Sequence, residues 1–313
     1  MGENKKILIT GVAGFIGSNL ADRLLKEGYS IVGVDNLSAG VIEQIPKGVE
    51  FHKLDIRSIE IFPLFSGVDV VFHLAAKNCI EDCQQDPVET ADINVRGTAN
   101  VFEASRRAKV RKVIDFESSA VYEGITKFPT SESEVSPQSF YAVSKICANL
   151  FAKKYGEFHG VTSVGIRPFS VYGPRQDYRR TIPPSMPAFA IKLLKEEQPI
   201  IFGDGSKRRD FIYVEDLNDF MLLCINDSRV DGKVFNLGSG TNNSVLEVYH
   251  LVKDILKSSV EPTFKPNLSG EAQITLADIS AAKALGWAPK TKIEDGVKIL
   301  VDFLKKEKEL GRL

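Results

Sequence analysis

Tyr141 and Lys145 stand four residues apart in Tyr141-Ala-Val-Ser-Lys145, which on a helix puts a phenol and an ammonium on one face. A free phenol, with an ordinary pKa of about 10, is a poor base at neutral pH, and lowering it by ~3 units takes roughly 4 kcal/mol of phenolate stabilisation. Nearby positive charge is the means. The pair arises by chance in many helices, so its meaning depends on what else the chain carries. That is Gly11-Val-Ala-Gly14-Phe15-Ile16-Gly17, directly after a strand-like run, Lys6–Thr10, and opening a helical pattern. Glycines there let backbone approach a diphosphate, and the helix N-terminus adds N–H groups and partial positive charge. Asp35 closes the second strand-like run, where a carboxylate can accept from both ribose hydroxyls and would repel a 2′-phosphate. The following Asn36-Leu37-Ser38-Ala39-Gly40 holds no Arg or Lys to receive that phosphate. NAD is therefore favoured over NADP, and its positive nicotinamide would add to the field of Lys145.

These residues need a frame, and the spacing of apolar residues supplies one. Short runs rich in Val, Ile and Phe at Lys6–Thr10, Ser30–Asp35, 50–54, 68–74, 111–116 and 162–167 read as strands. Between them, 17–27, 88–108 and 139–158 carry apolar residues at three- and four-residue spacing and read as helices. Alternation of this kind predicts an α/β fold, a Rossmann-type doubly wound parallel sheet. After Arg167 the prolines at 168, 174, 183, 184, 187 and 199 break the rhythm into loops and short elements, where a smaller mixed α/β lobe begins. A helix over 215–226, a strand over 233–237 and helices near 245–257 and 293–308 complete the chain. The expected division is a cofactor domain of 1–170 plus 211–240 and a substrate lobe of 171–210 plus 241–313.

Composition removes other classes. At 313 residues, with 43% hydrophobic and 26% charged residues and 40 basic against 41 acidic side chains, the chain is ordinary globular stock with no basic stripe for nucleic acid. No apolar run approaches a membrane span and no secretory-type apolar region follows the first residues, so a cytoplasmic protein with no membrane partner is expected. Cys79, Cys83, Cys147 and Cys224 lack zinc-site spacing, and the four histidines are scattered, so no metal is expected. Trp287 reads as core.

The Gly-x-x-Gly-x-x-Gly spacing is that of short-chain dehydrogenases, and further motifs extend the likeness. Thr10 to Ser18, Asp55-Ile56, His73-Leu74-Ala75-Ala76 and Asn94-Val-Arg-Gly97-Thr98 follow in family order. The chain thus resembles the extended short-chain dehydrogenase/reductase family, and within it the NAD-dependent epimerases and dehydratases, most of all the UDP-hexose 4-epimerases. The resemblance implies that Gly11, Gly14, Phe15, Ile16, Gly17, Asp35, Asn36 and Ser38 hold NAD, that Asp55 and Ile56 face the adenine, and that Leu74, Ala75, Ala76 and Pro168 pass beside the dinucleotide. Asn94 has a structural role in the family. Tyr141, Lys145 and Ser118 would be the catalytic set, Ser118 lying four residues before Tyr122 and bonding the reacting sugar oxygen, while Ser119 would point to the opposite side of an extended segment. Dehydratases and decarboxylases of the family carry acidic residues just after that hydroxyl. Here Ser119 and Ala120 stand there, which favours redox-neutral epimerisation: Tyr141 takes the sugar hydroxyl proton as hydride passes to NAD, the keto-sugar turns over, and hydride returns to its other face.

By the same resemblance a UDP-sugar is the substrate, with Lys77, Ser118, Ser119, Tyr141, Ser170, Phe202, Arg209 and Thr275 around it. Phe202 could stack on the base and Arg209 grip the diphosphate. Thr275, three residues before Asp278, falls at the family's gate beside the sugar, where a small residue leaves room for an N-acetyl group. Some positions depart from the family. Ser170 stands for Asn and Leu268 for Arg, near Gly270-Glu271 of the last family block, while Glu117 and Glu123 replace small residues and leave open whether a carboxylate contacts substrate. A homodimer through helices near 90–108 and 141–158 is implied. The alternatives are a dehydratase or reductase of the same family, or a catalytically silent NAD-binding sensor, which the presence of Tyr141 and Lys145 disfavours.

Overall fold

The computed structural model describes residues 5–179, 182–267 and 272–313, so Leu268, Gly270 and Glu271 lie outside the described residues. Its centre is a sheet of seven strands: β1 Lys6–Thr10, β2 Ser30–Asp35, β3 Val49–Lys53, β4 Val68–His73, β5 Lys112–Phe116, β6 Ser163–Pro168 and a seventh, Val234–Leu237. They lie in the order seventh, β6, β5, β4, β1, β2, β3, every pairing parallel. A parallel sheet must be covered on both faces, which is why its strands are continuous apolar runs. Ile7, Ile9, Val70, Phe72, Ile114 and Ile166 face one layer, under Leu20 and Leu24 of the Phe15–Lys26 helix and Leu217, Phe220 and Met221 of the Val214–Asn226 helix. Leu8, Val32, Val34, Val71 and Val113 face the other, under Val101, Phe102 and Ala152. Strand order reverses between β1 and β4, and the crevice at such a switch point is where doubly wound sheets bind nucleotides.

The helix expected over 88–108 forms as Pro87–Ala91 and Gly97–Ala108 joined by a π turn at Asp92–Arg96. The wider turn belongs with Asn94, which is buried and ties three segments together. Its Oδ1 accepts from the Lys77 N–H at 2.8 Å, and its Nδ2 donates to the Lys77 carbonyl at 3.0 Å and the Ser144 hydroxyl at 2.9 Å.

The prolines after Arg167 predict broken structure, yet Ser185–Leu194 is a regular helix. Pro187 falls in its first turn, where the N–H groups have no intrahelical partner and a missing one costs nothing. This helix packs Met186, Phe189 and Leu193 against Val248 and Val252 of the Val245–Leu256 helix and Leu300 and Leu304 of the Ile293–Glu309 helix, giving the lobe its own core. Ala277, Ile279, Ala282 and Trp287 belong instead to the main core. Trp287 meets Phe220 edge-on at 5.6 Å and donates its indole N–H to the Asp216 carbonyl at 2.9 Å. The segment 241–313 thus feeds both cores.

Among the described residues no helix is long and apolar enough to cross a membrane, and no three potential metal ligands cluster. The four cysteines are free thiols, three of them buried.

Candidate active site

A cavity of about 550 Å³ opens at the switch point between β1 and β4. Its floor is the glycine loop. Gly11 has φ of +75°, and a Cβ there would lie 2.8 Å from the Ala75 nitrogen; at Gly17 it would lie 2.2 Å from the Gly11 carbonyl oxygen. A side chain at either position would strike the protein's own backbone, so the loop closes this tightly only with glycine there. The helix that follows starts at Gly14 with no side-chain cap and no acidic residue in its first turn. Its leading N–H groups are therefore available to an anion, and the cradle fits a dinucleotide diphosphate.

At the end of β2, Asp35 accepts from the Ala13 N–H at 3.0 Å and the Leu37 N–H at 2.8 Å, one on each oxygen. Burial pushes its carboxyl up and these two bonds oppose that. One acceptor site remains on each oxygen, which matches a ribose diol. Asp55 differs: Arg57 donates to it from its backbone N–H, Nε and Nη2, and Asn36 from Nδ2, at 2.7 to 2.9 Å. Those bonds hold its carboxyl far below the usual range and use all four acceptor sites. Arg57, which the sequence reading passed over two residues beyond Asp55, also pairs with Asp92 at 2.8 Å and so is committed to two carboxylates rather than to a 2′-phosphate. Asp35→Ala is expected to weaken NAD roughly tenfold to a hundredfold while sparing NADP, the loss of hydrogen bonds to a charged group being about 1.5–3 kcal/mol. Titration of both reduced cofactors by fluorescence checks this, and an unchanged preference would refute the ribose assignment.

The helix of the candidate catalytic pair, Phe140–His159, begins at Ser139, whose hydroxyl accepts from the Ala142 N–H at 3.1 Å. Glu123 braces that start, accepting from the Gln138 N–H at 3.0 Å, the Ser139 N–H at 2.8 Å and the Ser139 hydroxyl at 2.9 Å. A carboxylate at a helix N-terminus is favourable, and all three of these bonds serve the helix start. In the first turn and one turn on, Tyr141 and Lys145 are both buried at the cavity wall, and the Lys145 ammonium donates to the Phe116 carbonyl at 2.7 Å.

That carbonyl precedes the serine segment by one residue. Ser118 is extended and caps a 3₁₀ turn, Ser119–Tyr122, its hydroxyl accepting from the Ala120 N–H at 3.1 Å. The oxygen is thereby fixed and its own hydrogen is left to donate into the cavity. The expectation that Ser119 continues an extended strand is corrected: the chain turns there, and Ser119 leaves the wall because of the turn and not by strand alternation. Glu117 lines the cavity too, but its oxygens are held by Arg167 Nε at 2.6 Å and by the Asn149 amide, so its carboxylate is engaged. Arg167 continues the chain to the Tyr122 hydroxyl at 2.9 Å, and Tyr122 donates to Asn236 at 2.7 Å.

Beneath the loop, the Thr98 hydroxyl donates to the Asn94 carbonyl at 2.6 Å, so it must accept from His73 Nε2, 2.9 Å away. His73 Nδ1 is then the acceptor of the Thr10 hydroxyl at 2.7 Å. Burial first, and Lys145 second, lower the His73 pKa to about 3, which keeps the ring neutral.

All fourteen residues expected along the cofactor line this one cavity, from Gly11 to Pro168, together with Tyr141, Lys145, Ser118 and Lys77. Lys77 pairs with Glu89 at 2.6 Å. Ser119, Ser170, Phe202, Arg209 and Thr275 lie outside its wall. Ser170 begins a short strand against Phe211–Tyr213, and Phe202 ends one against Thr263–Lys265. Arg209 donates to the Arg208 carbonyl at 3.0 Å, and the Thr275 hydroxyl accepts from the Asp210 N–H at 3.1 Å. The lobe's side of the wall is made instead by Val171, Arg175, Gln176, Tyr178 and Arg179. The Gly-Pro-Arg-Gln of the crossover was the available signal for them.

This arrangement has relatives. A UDP-glucose 4-epimerase of Mycolicibacterium smegmatis is 34% identical over 97% of this chain and 100% of its own length. A crystal structure of the UDP-glucose 4-epimerase of Thermotoga maritima with UDP-glucose is 33% identical, covers 97% of this chain and 99% of its own, and superposes with a TM-score of 0.93. The UDP-N-acetylglucosamine 4-epimerase of Methanobrevibacter ruminantium, in complex with UDP-N-acetylmuramic acid, superposes equally well at 29% identity, with 97% and 99% covered. Residues 7–238 match the profile of the NAD dependent epimerase/dehydratase family. With the glycine loop, Asp35 and the Tyr141, Lys145 and Ser118 set on one cavity wall, the chain belongs to the NAD-dependent epimerase/dehydratase family.

Proposed function

We propose that the protein is an NAD-dependent UDP-sugar 4-epimerase. One observation carries the reading: Tyr141, Lys145 and Ser118 meet at the cofactor cavity, and both carboxylates of the serine segment, Glu117 and Glu123, are engaged. Ser119 and Ala120 follow Ser118, Glu117 is held by Arg167 and Asn149, and Glu123 by the catalytic helix. Elimination across the sugar ring needs an acid or base there, whereas proton exchange at one hydroxyl needs only Tyr141. Ser118 donates to the reacting oxygen and Lys145 holds positive charge beneath the phenol. The chemistry NAD supplies when bound is reversible hydride transfer at carbon 4. Relatives named for UDP-glucose and UDP-N-acetylglucosamine support a uridine diphosphate donor. Incubation with a panel of UDP-sugars tests this: epimers of unchanged mass support it, and loss of water or a demand for added NADPH overturns it.

Thr275 is proposed as the gate that admits N-acetyl sugars. Thr275→Tyr is expected to cut turnover of UDP-N-acetylglucosamine at least tenfold relative to UDP-glucose, about 1.4 kcal/mol of discrimination. Equal losses would assign Thr275 to the bond it makes with the Asp210 N–H instead.

We place the enzyme in the cytoplasm, where NAD and nucleotide sugars meet, and read it as a homodimer. The catalytic helix exposes Phe140, Val143, Leu150, Phe151 and Phe158 along its outer side, an apolar stripe that a second copy would cover. A monomer at micromolar concentration in sedimentation would refute the dimer.

A further inference from the structure

Asp115 is the one acidic residue on the inner run of β5, and nothing in the chemistry so far uses it. It is 3% exposed, and its Oδ2 is sealed from solvent with no hydrogen-bond partner. Burying a carboxyl in this way is costly unless it is paired or protonated. Side chains two apart on a strand share a face, so Asp115 points with Val113 into the layer beneath the catalytic helix, where Glu117 just past the strand meets Asn149 of that helix. The register puts it beside His73 on β4 and Gly165 on β6. Lys145 reaches down from the helix to the carbonyl of the next residue, Phe116.

The charged and titratable groups around it are few. His73 is neutral, with both ring nitrogens in use. Glu117, the residue after β5, is balanced by Arg167 of β6. That leaves Lys145 as the uncompensated charge facing Asp115. Burial raises the Asp115 carboxyl to about 7, with Lys145 pulling it down and Glu117 pushing it up.

We propose that Asp115 is a positioning residue for Lys145, a sealed carboxyl whose ionisation answers the positive charge brought in by the cofactor and sets how much of the ammonium's field reaches Tyr141. Protonated, Asp115 leaves that field whole. Ionised, it cancels part of it. The proposal deepens the epimerase reading and rests on it only for its kinetic arm.

The binding arm uses Tyr141→Phe, which removes the phenol as a proton source. Calorimetry of oxidised NAD binding near pH 7, in buffers of differing ionisation enthalpy, is expected to show release of a fraction of a proton that Tyr141→Phe/Asp115→Asn loses. Equal release from both overturns the proposal. In the kinetic arm, Asp115→Asn should shift the acid limb of kcat/KM to lower pH by roughly one unit, the order expected for removing one charge from beside a buried ammonium. A limb that stays in place overturns it, because a residue that only filled space would move overall rate and not the limb. If the asparagine variant does not fold, Asp115→Ser serves both comparisons. A wild type that epimerises no UDP-sugar would sink the functional reading and leave the calorimetry to decide on Asp115.

Discussion

Tyr141→Phe is expected to lower epimerisation about a thousandfold while NAD affinity changes less than about threefold. The substitution removes one oxygen from a ring that is 8% exposed and leaves its packing at the helix start intact. What is lost is the group that exchanges a proton with the sugar hydroxyl, and positioned acid–base groups contribute roughly 10²–10⁴ in rate. Ser118 would still donate to the oxygen, and Lys145 would still be held on the Phe116 carbonyl. Interconversion of UDP-glucose and UDP-galactose followed by NMR, beside a cofactor titration, separates the two effects. Turnover within tenfold of the wild type would remove Tyr141 from the reaction.

Gly17→Ala is expected to abolish cofactor retention, with NAD affinity reduced at least about a hundredfold, close to 2.7 kcal/mol. A Cβ at position 17 would stand 2.2 Å from the Gly11 carbonyl oxygen, which is backbone and not a side chain that could swing away. Gly11 has little freedom to retreat, since its N–H is bonded to the Val34 carbonyl at 2.8 Å. The loop must therefore open, and overpacking of this kind costs roughly 1–3 kcal/mol of stability besides. Fluorescence titration with NADH and a melting curve measure both losses. Wild-type affinity in the variant would mean that the loop does not cradle the diphosphate.

The sheet was legible because buried parallel strands leave unbroken apolar runs: 68–74 and 162–167 were placed to within a residue of β4 and β6. The cofactor wall was legible for a related reason, that glycines forced by close approach and a carboxylate ending β2 are written in residue type. The lobe was not. Its wall comes from Arg175 to Arg179, on an irregular crossover whose side-chain directions no periodicity encodes. Glu117 and Glu123 could be flagged as unusual, but their partners Arg167 and Ser139 are 50 and 16 residues away, and only the folded chain brings them together. The helix at Ser185–Leu194 was hidden by prolines that its first turn accommodates.

The return of Ala277, Ile279, Ala282 and Trp287 to the main core has a consequence for synthesis. On the ribosome, the core beneath the cofactor cavity remains incomplete until residue 287 has emerged. Phe220 and Phe235 would wait with an open flank until Trp287 arrives. Translation therefore outlines the dinucleotide fold early and seals it late, and the nascent chain carries a sticky face through most of that interval. A cell making this protein quickly would have reason to shield it.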